Sequence, residues 1–148
     1  MWNPIRNSEE IETFMEQMCY FHDSCIKELK YTSGAYVNCD LSMYPINSSR
    51  ILRVVIQRQH ENNSMIELEF DGLKLLILSP IDDTYTCEIE SSSMFFNNGY
   101  IYWCDHDCTD ETELSKLDGT MICALKLRWR AIENHMGSEE YYHTSHDV

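Results

Sequence analysis

Glycine is scarce in this chain: five residues, at 34, 72, 99, 119 and 137, each isolated from the next. A phosphate-cradling loop or a dinucleotide fingerprint needs several glycines within a few positions, so that backbone N–H groups can close on the phosphates. Neither can be drawn, and nucleotide hydrolysis by those routes is excluded. The nucleophile-elbow pattern G-x-S-x-G and the zinc-protease pattern H-E-x-x-H are missing as well. Basic side chains are few, 11 Lys and Arg against 25 Asp and Glu, for a formal net charge of -14. The mean surface field therefore repels phosphate backbones and anionic lipid, and no nucleic-acid partner is expected. Long apolar runs are missing too. The longest, "LKLLIL" at 73–78, is broken by Lys74 and falls far short of the roughly 18 residues that span a bilayer, so no membrane partner is expected. The opening "MWNPIRNSEE" has neither the apolar stretch nor the cleavage pattern of a secretory signal. Seven cysteines, an odd number without framework spacing, then read as reduced thiols in a cytoplasmic protein.

What is present fits one globular domain over 1–148, with 43% hydrophobic and 24% charged side chains. A chain of that size buries roughly 70% of the surface its unfolded form exposes, which is enough for a core. Asn7 or Ser8 can cap a helix whose Glu9, Glu10 and Glu12 favour its positive end, and Ile11, Phe14, Met15 and Met18 recur at helical spacing. One amphipathic helix is predicted over about 8–20. Beyond it, "CIKELKYTSGAYVNCDL" reads as one or two strands, and "ILRVVIQRQ" and "MIELEF" alternate apolar with polar residues. Asp71-Gly72 and Asn97-Asn98-Gly99 carry hairpin-turn chemistry, which separates "MIELEF" from "LKLLIL" and "YTCEIESSSMFF" from "YIYWC". "TMICALKLRWRAI" after Asp118-Gly119 reads as the last strand. The expected fold is α+β: one N-terminal helix followed by a six- or seven-stranded, mainly antiparallel sheet curled as a sandwich or half-barrel. Residues from about 133 to 148 are polar without clear periodicity and are expected to form a frayed tail, His143-x-x-His146 included.

Three stretches carry chemistry worth weighing. "WCDHDCTDETE", Trp103 to Glu113, can be tested as a calcium hand from Asp105. Asp107 and Thr109 fit, but the sixth position is Asp110 where a turn glycine is needed and the twelfth is Lys116 where a bidentate glutamate is needed. For zinc, Cys104, His106 and Cys108 supply three ligands where a closed structural site has four. Those three would share one face of an extended strand, which keeps a metal-binding alternative open. "FHDSC" places His22 three residues before Cys25, with Asp23 able to orient the imidazole, so a small thiol enzyme is a further alternative. Glu67/Glu69 and Glu88/Glu90 suit the solvated face of a sheet. If strands 65–70 and 85–91 were neighbours, like charges would stack unless Arg53, Arg58, Arg128 or Arg130 intervened, and such cross-strand pairing is expected.

The arrangement "FHDSCIKELKYTSGAYV", "LRVVIQRQ", "IELEFDGLKLLIL" and "YIYWCD" resembles a family of small bacterial single-domain proteins of Firmicutes type. The "FHD" opening, Phe21 to Asp23, is loosely similar to immunity proteins of polymorphic toxin systems. The resemblance implies an intracellular β-rich binder and brings no catalytic residue with it. The expected function is non-enzymatic protein binding, immunity-like in neutralising a basic partner, with no cofactor. The expected contact surface is Tyr100, Tyr102, Asp105, Asp107, Asp110, Glu111 and Glu113, an aromatic strand running into an acidic loop.

Overall fold

A computed structural model describes residues 1–108 and 119–142. In chain order the elements are strand β1 (Asn3–Ile5), helix α1 (Ser8–Gln17), then strands β2 (Ser24–Thr32), β3 (Tyr36–Val37), β4 (Met43–Tyr44), β5 (Ile51–Arg58), β6 (Met65–Ile77), β7 (Ser93–Asn97), β8 (Tyr100–Cys104) and β9 (Met121–Ala131). Seven strands form one antiparallel sheet in the order β2-β5-β6-β9-β8-β7, and β1 also pairs with β9. β8 pairs with β9 along 121–124 and β1 along 127–129. The sheet stays open and does not close into a barrel. β3 and β4 form a separate two-stranded ribbon. Among the described residues no helix is long and apolar enough to cross a membrane.

α1 starts where its capping chemistry directs. Asn7 is extended, and its Oδ1 accepts the backbone N–H of Glu10 at 2.8 Å, while the Glu10 carboxylate accepts the N–H of Arg6 at 2.6 Å. The helix ends at Gln17, short of the expected residue 20, because the chain then reverses through left-handed backbone. Cys19, Tyr20 and Phe21 have φ of 51°, 51° and 59°. Side chains other than glycine rarely adopt that region in succession. The reversal drops Phe21 into the core, edge-on to Phe14 at 5.8 Å and to Trp103 at 6.0 Å.

Two turn expectations divide. Asn98 and Gly99 both have positive φ, 49° and 80°, so the two-residue turn between β7 and β8 has the backbone that the Asn-Gly pair favours. Asp71-Gly72 is no hairpin. β6 runs straight through it, and the register against β9 slips between Leu73 and Leu75 as in a β-bulge. Gly72 has φ +69°, and a Cβ there would lie 2.8 Å from Leu125, so the glycine serves the bend and a close crossing. The strand expected from Tyr85 is also shorter than read. It begins at Ser93, because the Ser92 N–H and hydroxyl both bond the Tyr20 carbonyl and take that segment out of the ladder. Ile89 alone bridges to Ser24.

One sheet face is apolar. Leu52, Val54 and Ile56 of β5, Ile66, Leu68 and Phe70 of β6, and Ile101 and Trp103 of β8 meet Ile11, Phe14 and Met15 of α1. Each such side chain contributes roughly 1.5–3 kcal/mol on burial. The opposite face of the central strands was expected to be solvated, and it is covered. Glu67 and Glu69 are 1% and 4% exposed. Register places Arg53, Glu69 and Arg128 in one cross-strand row and Val55, Glu67 and Arg130 in the next. Glu69 accepts from Arg53 Nε at 2.9 Å and Arg128 Nε at 2.7 Å, and Glu67 accepts from Arg130 Nε at 2.7 Å. The glutamates that pair are on β6, flanked by β5 and β9, so 85–91 supplies no stacking charge.

Trp2 from one end of the chain and Tyr141 and Tyr142 from the other lie over this polar face. Arg128 and Arg130 each stand 4.5 Å from the Trp2 ring. The segment expected to be polar and irregular is irregular through Tyr142, yet it is tied down. Glu28 accepts the N–H groups of Tyr141 and Tyr142 at 2.6 and 2.9 Å, and the Tyr142 hydroxyl donates to Glu67 at 3.1 Å.

Candidate functional site

The aromatic strand expected to meet a partner divides by alternation. Ile101 and Trp103 are fully buried, and Tyr100 and Tyr102 are half-buried on the other face. Both tyrosines already have neighbours: Lys74 Nζ lies 4.1 Å from the Tyr100 ring, and Tyr102 stacks on Phe95 at 5.4 Å with planes 8° apart. Asp105 is spent on the local bend, where its Oδ1 accepts the Thr120 N–H at 2.9 Å and also meets His106 Nδ1. Asp107 is exposed. Asp110, Glu111 and Glu113 lie outside the described residues, as does His143-x-x-His146.

The shared face expected of Cys104, His106 and Cys108 does not form. β8 ends at Cys104, and the following bend carries the half-exposed His106 to Asp105. Cys104 and Cys108 come together without it, Sγ to Sγ 3.9 Å, in a small buried cluster with Met121, flanked by Phe95 and Tyr102. Burial, with Cys108 and Asp105 beside it, pushes the Cys104 thiol far above its ordinary range. Among the described residues no three His, Cys, Asp or Glu side chains are placed to hold a metal ion.

"FHDSC" sits on the left-handed reversal. Asp23 has φ 58°, and its carboxylate meets His22 Nδ1 at 3.0 Å. The His22 hydrogen bond holds the Asp23 carboxyl below the usual range, with Glu88 and His60 adding to the effect. The backbone is clamped from several sides: Arg58 Nη2 donates to the Met18 carbonyl at 3.0 Å, Asp23 N–H to Ile89 at 3.1 Å, and His60 Nε2 lies 3.1 Å from the His22 carbonyl. Such clamping is what left-handed backbone requires in order to persist. Arg58, expected to pair with a strand carboxylate, is 3% exposed and donates to the carbonyls of Asn62 and Asn63 as well. Cys25 is half-buried near the start of β2. Burial, with Cys87 nearby, pushes its thiol up, where a nucleophile needs it brought down.

A feature that sequence reading assigned only to "one or two strands" protrudes from the sheet. Between β2 and β5 the chain forms an arm, the β3–β4 ribbon, closed at its base where Ser33 O accepts the N–H groups of Ser49 and Arg50. Its tip is a bonded turn: Asn38 N–H reaches Ser42 O at 2.8 Å, and Asp40 Oδ1 accepts the Ser42 N–H at 3.0 Å and hydroxyl at 2.6 Å. Tyr36 and Tyr44 stack across the ribbon at 5.2 Å. Leu41 at the tip is 83% exposed and Met43 66%, and Tyr36, Val37 and Ile46 are each more than half exposed. A ribbon of two short strands is marginal by itself in water, and this one packs none of these side chains into the core. The signal was in the sequence: "AYVNCDLSMYPI" holds a dense apolar set between the small polar residues Ser33 and Ser48.

No family model matches the chain, and no curated protein or solved structure does.

Proposed function

We propose that this protein acts by binding another protein and not by catalysis, and that the β3–β4 arm is the contact surface. The observation that carries this reading is the exposed apolar set on the arm, Tyr36, Val37, Leu41, Met43 and Ile46, held in a bonded frame. A turn pinned by Asp40 and Ser42 presents those side chains already ordered, which lowers the conformational cost of association. The partner is basic. The chain carries -14 formal charges, and Arg53, Arg128 and Arg130 are consumed by buried glutamates, so the surface seen by a partner is strongly acidic. The immunity-like form of this reading, neutralisation of a basic toxin, rests on the same charge.

The loop first read as the contact surface contributes through exposed Asp107, and its two tyrosines play a smaller part because each already has an intramolecular neighbour. The thiol-enzyme alternative is weighed down by the raised Cys25 thiol, and the metal alternative by the bend after β8 that turns His106 to Asp105.

A photo-crosslinking residue placed at Leu41 tests the reading in the producing cell, with one at exposed Glu61 as control. The expected result is one predominant adduct at Leu41, identified by mass spectrometry as a basic protein and absent at Glu61. Equal adducts at both positions, or an acidic partner at Leu41, would overturn it.

A further inference from the structure

The two thiols that meet behind β8 belong to no role assigned so far. Cys104 is fully buried at the strand end and Cys108 is 7% exposed, and their sulfurs stand 3.9 Å apart across a four-residue step. A disulfide bond is about 2.05 Å long, so closing it needs a shift of roughly 2 Å, shared between two side chains of which one follows a bend. Access is asymmetric. Cys108 lines a cleft of about 390 Å³ between α1 and β7, walled by Ile11, Met15, Met94 and Phe96, and among the described residues the charged ones on that lining are Glu12 and Asp107. Cys104 is not on it.

We propose that Cys104 and Cys108 form an oxidisable dithiol which a small cationic disulfide, entering this cleft, converts to an internal disulfide. The Cys108 thiolate attacks one sulfur of the reagent, forming a mixed disulfide and expelling one thiolate, which takes up a proton. Cys104 then attacks the Cys108 sulfur, its proton passing to the departing sulfur, so that the internal bond forms and the second half of the reagent leaves as a thiol. Two protein thiols are oxidised, and one external disulfide is reduced to two thiols. The product ties Cys108 to the end of β8 and locks the Asp105–Asp107 bend that lies between them. Reagent charge is selected by the carboxylates of Glu12 and Asp107, backed by the acidic surface as a whole.

The test uses full-length protein with the exposed thiols Cys19, Cys39 and Cys87 changed to serine, treated with cystamine, which is dicationic, or glutathione disulfide, which is anionic. The expected result with cystamine is loss of two hydrogen atoms by intact mass and a 104–108 crosslinked peptide. Cystamine should react about tenfold faster at low salt, with the ratio falling as salt is raised. Cys104→Ser should stop at a mixed disulfide on Cys108, and Cys108→Ser should leave Cys104 unmodified; Cys104→Ala replaces the first variant if its circular dichroism departs from the parent. An internal bond to Cys25 or Cys123, both thiols still alkylatable after denaturation, or equal rates for the two reagents would overturn the proposal. So would stoichiometric zinc in the purified protein, released when these two thiols are blocked.

Discussion

Removing Arg130 and removing the charge of its partner Glu67 should have unequal costs, and the inequality follows from burial. Glu67 is 1% exposed and receives Arg130 through Nε at 2.7 Å and Nη2 at 2.6 Å, with the Tyr142 hydroxyl at 3.1 Å. Arg130→Ala leaves that carboxylate buried with one neutral donor. Stranding a buried charge costs about 3–5 kcal/mol, and the remaining tyrosine places this case at about 3. Glu67→Gln strands the opposite partner, but the Arg130 side chain is 36% exposed and rests on Trp2, so water reaches it and the loss is about 1 kcal/mol. Arg128→Ala supplies the internal comparison. Glu69 keeps Arg53 at 2.9 Å, so about 1 kcal/mol is expected there too. For a domain of this length about 3 °C of melting temperature accompanies each kcal/mol, which separates the variants as about 9 °C against about 3 °C. Urea titrations with an unchanged m-value would assign the differences to the native state. If Glu67→Gln proved as damaging as Arg130→Ala, or Arg128→Ala equalled it, the account of this face as charges made tolerable by redundancy would be wrong.

Further outcomes follow from the same geometry. Leu41→Asp should leave the melting temperature within about 1 °C of the parent, because the side chain is 83% exposed and outside the core, while abolishing the crosslinked adduct placed at neighbouring Met43. A drop comparable to a core substitution would mean that the arm is part of the folding unit. Gly72→Ala should destabilise by about 1–3 kcal/mol in a denaturant melt, since it combines positive φ with a 2.8 Å approach to Leu125. The Asp40 carboxyl is held below its ordinary value by the Ser42 hydroxyl and N–H, so the tip turn should be intact above about pH 3.9 and released as pH falls through the depressed value. The Ser42 amide resonance followed by NMR reports it, and a midpoint at or above the ordinary aspartate value would contradict the bonding. Cys25 alkylation by iodoacetamide near neutral pH should lag behind that of exposed Cys39, and a faster Cys25 would revive the thiol-enzyme alternative.

Much of the fold is visible in period alone. Residues at helical spacing from Ile11 to Met15 bury one face of α1, and alternation in 51–56 and 65–70 sends Leu52, Val54, Ile66 and Leu68 to the core. Asn98-Gly99 marks its turn because few other residue pairs tolerate two left-handed conformations at low cost. Where local chemistry has two uses, sequence reading chose the commoner one and missed. Asp71-Gly72 carries the same turn signal as Asn98-Gly99, and only the crossing of Leu125 over Gly72 makes it a bulge inside a continuous strand. Glu67 and Glu69 alternate as a solvated face should, and local spacing carries no sign that Trp2 and Tyr142 would return to cover them.

By itself, then, the sequence determined the α+β class, the helix start, the apolar face and the acidic balance, since each rests on spacing or composition within a few residues. Tertiary structure decided everything that needed distant parts to meet. It bent the chain after β8, so that Cys104 and Cys108 met while His106 turned to Asp105. It stacked Tyr102 on Phe95 and set Lys74 over Tyr100. It also left the β3–β4 arm without a core to bury against. The physical reason is common to all three: a side chain's partner is fixed by where the backbone carries it, and that is settled by contacts long in sequence separation.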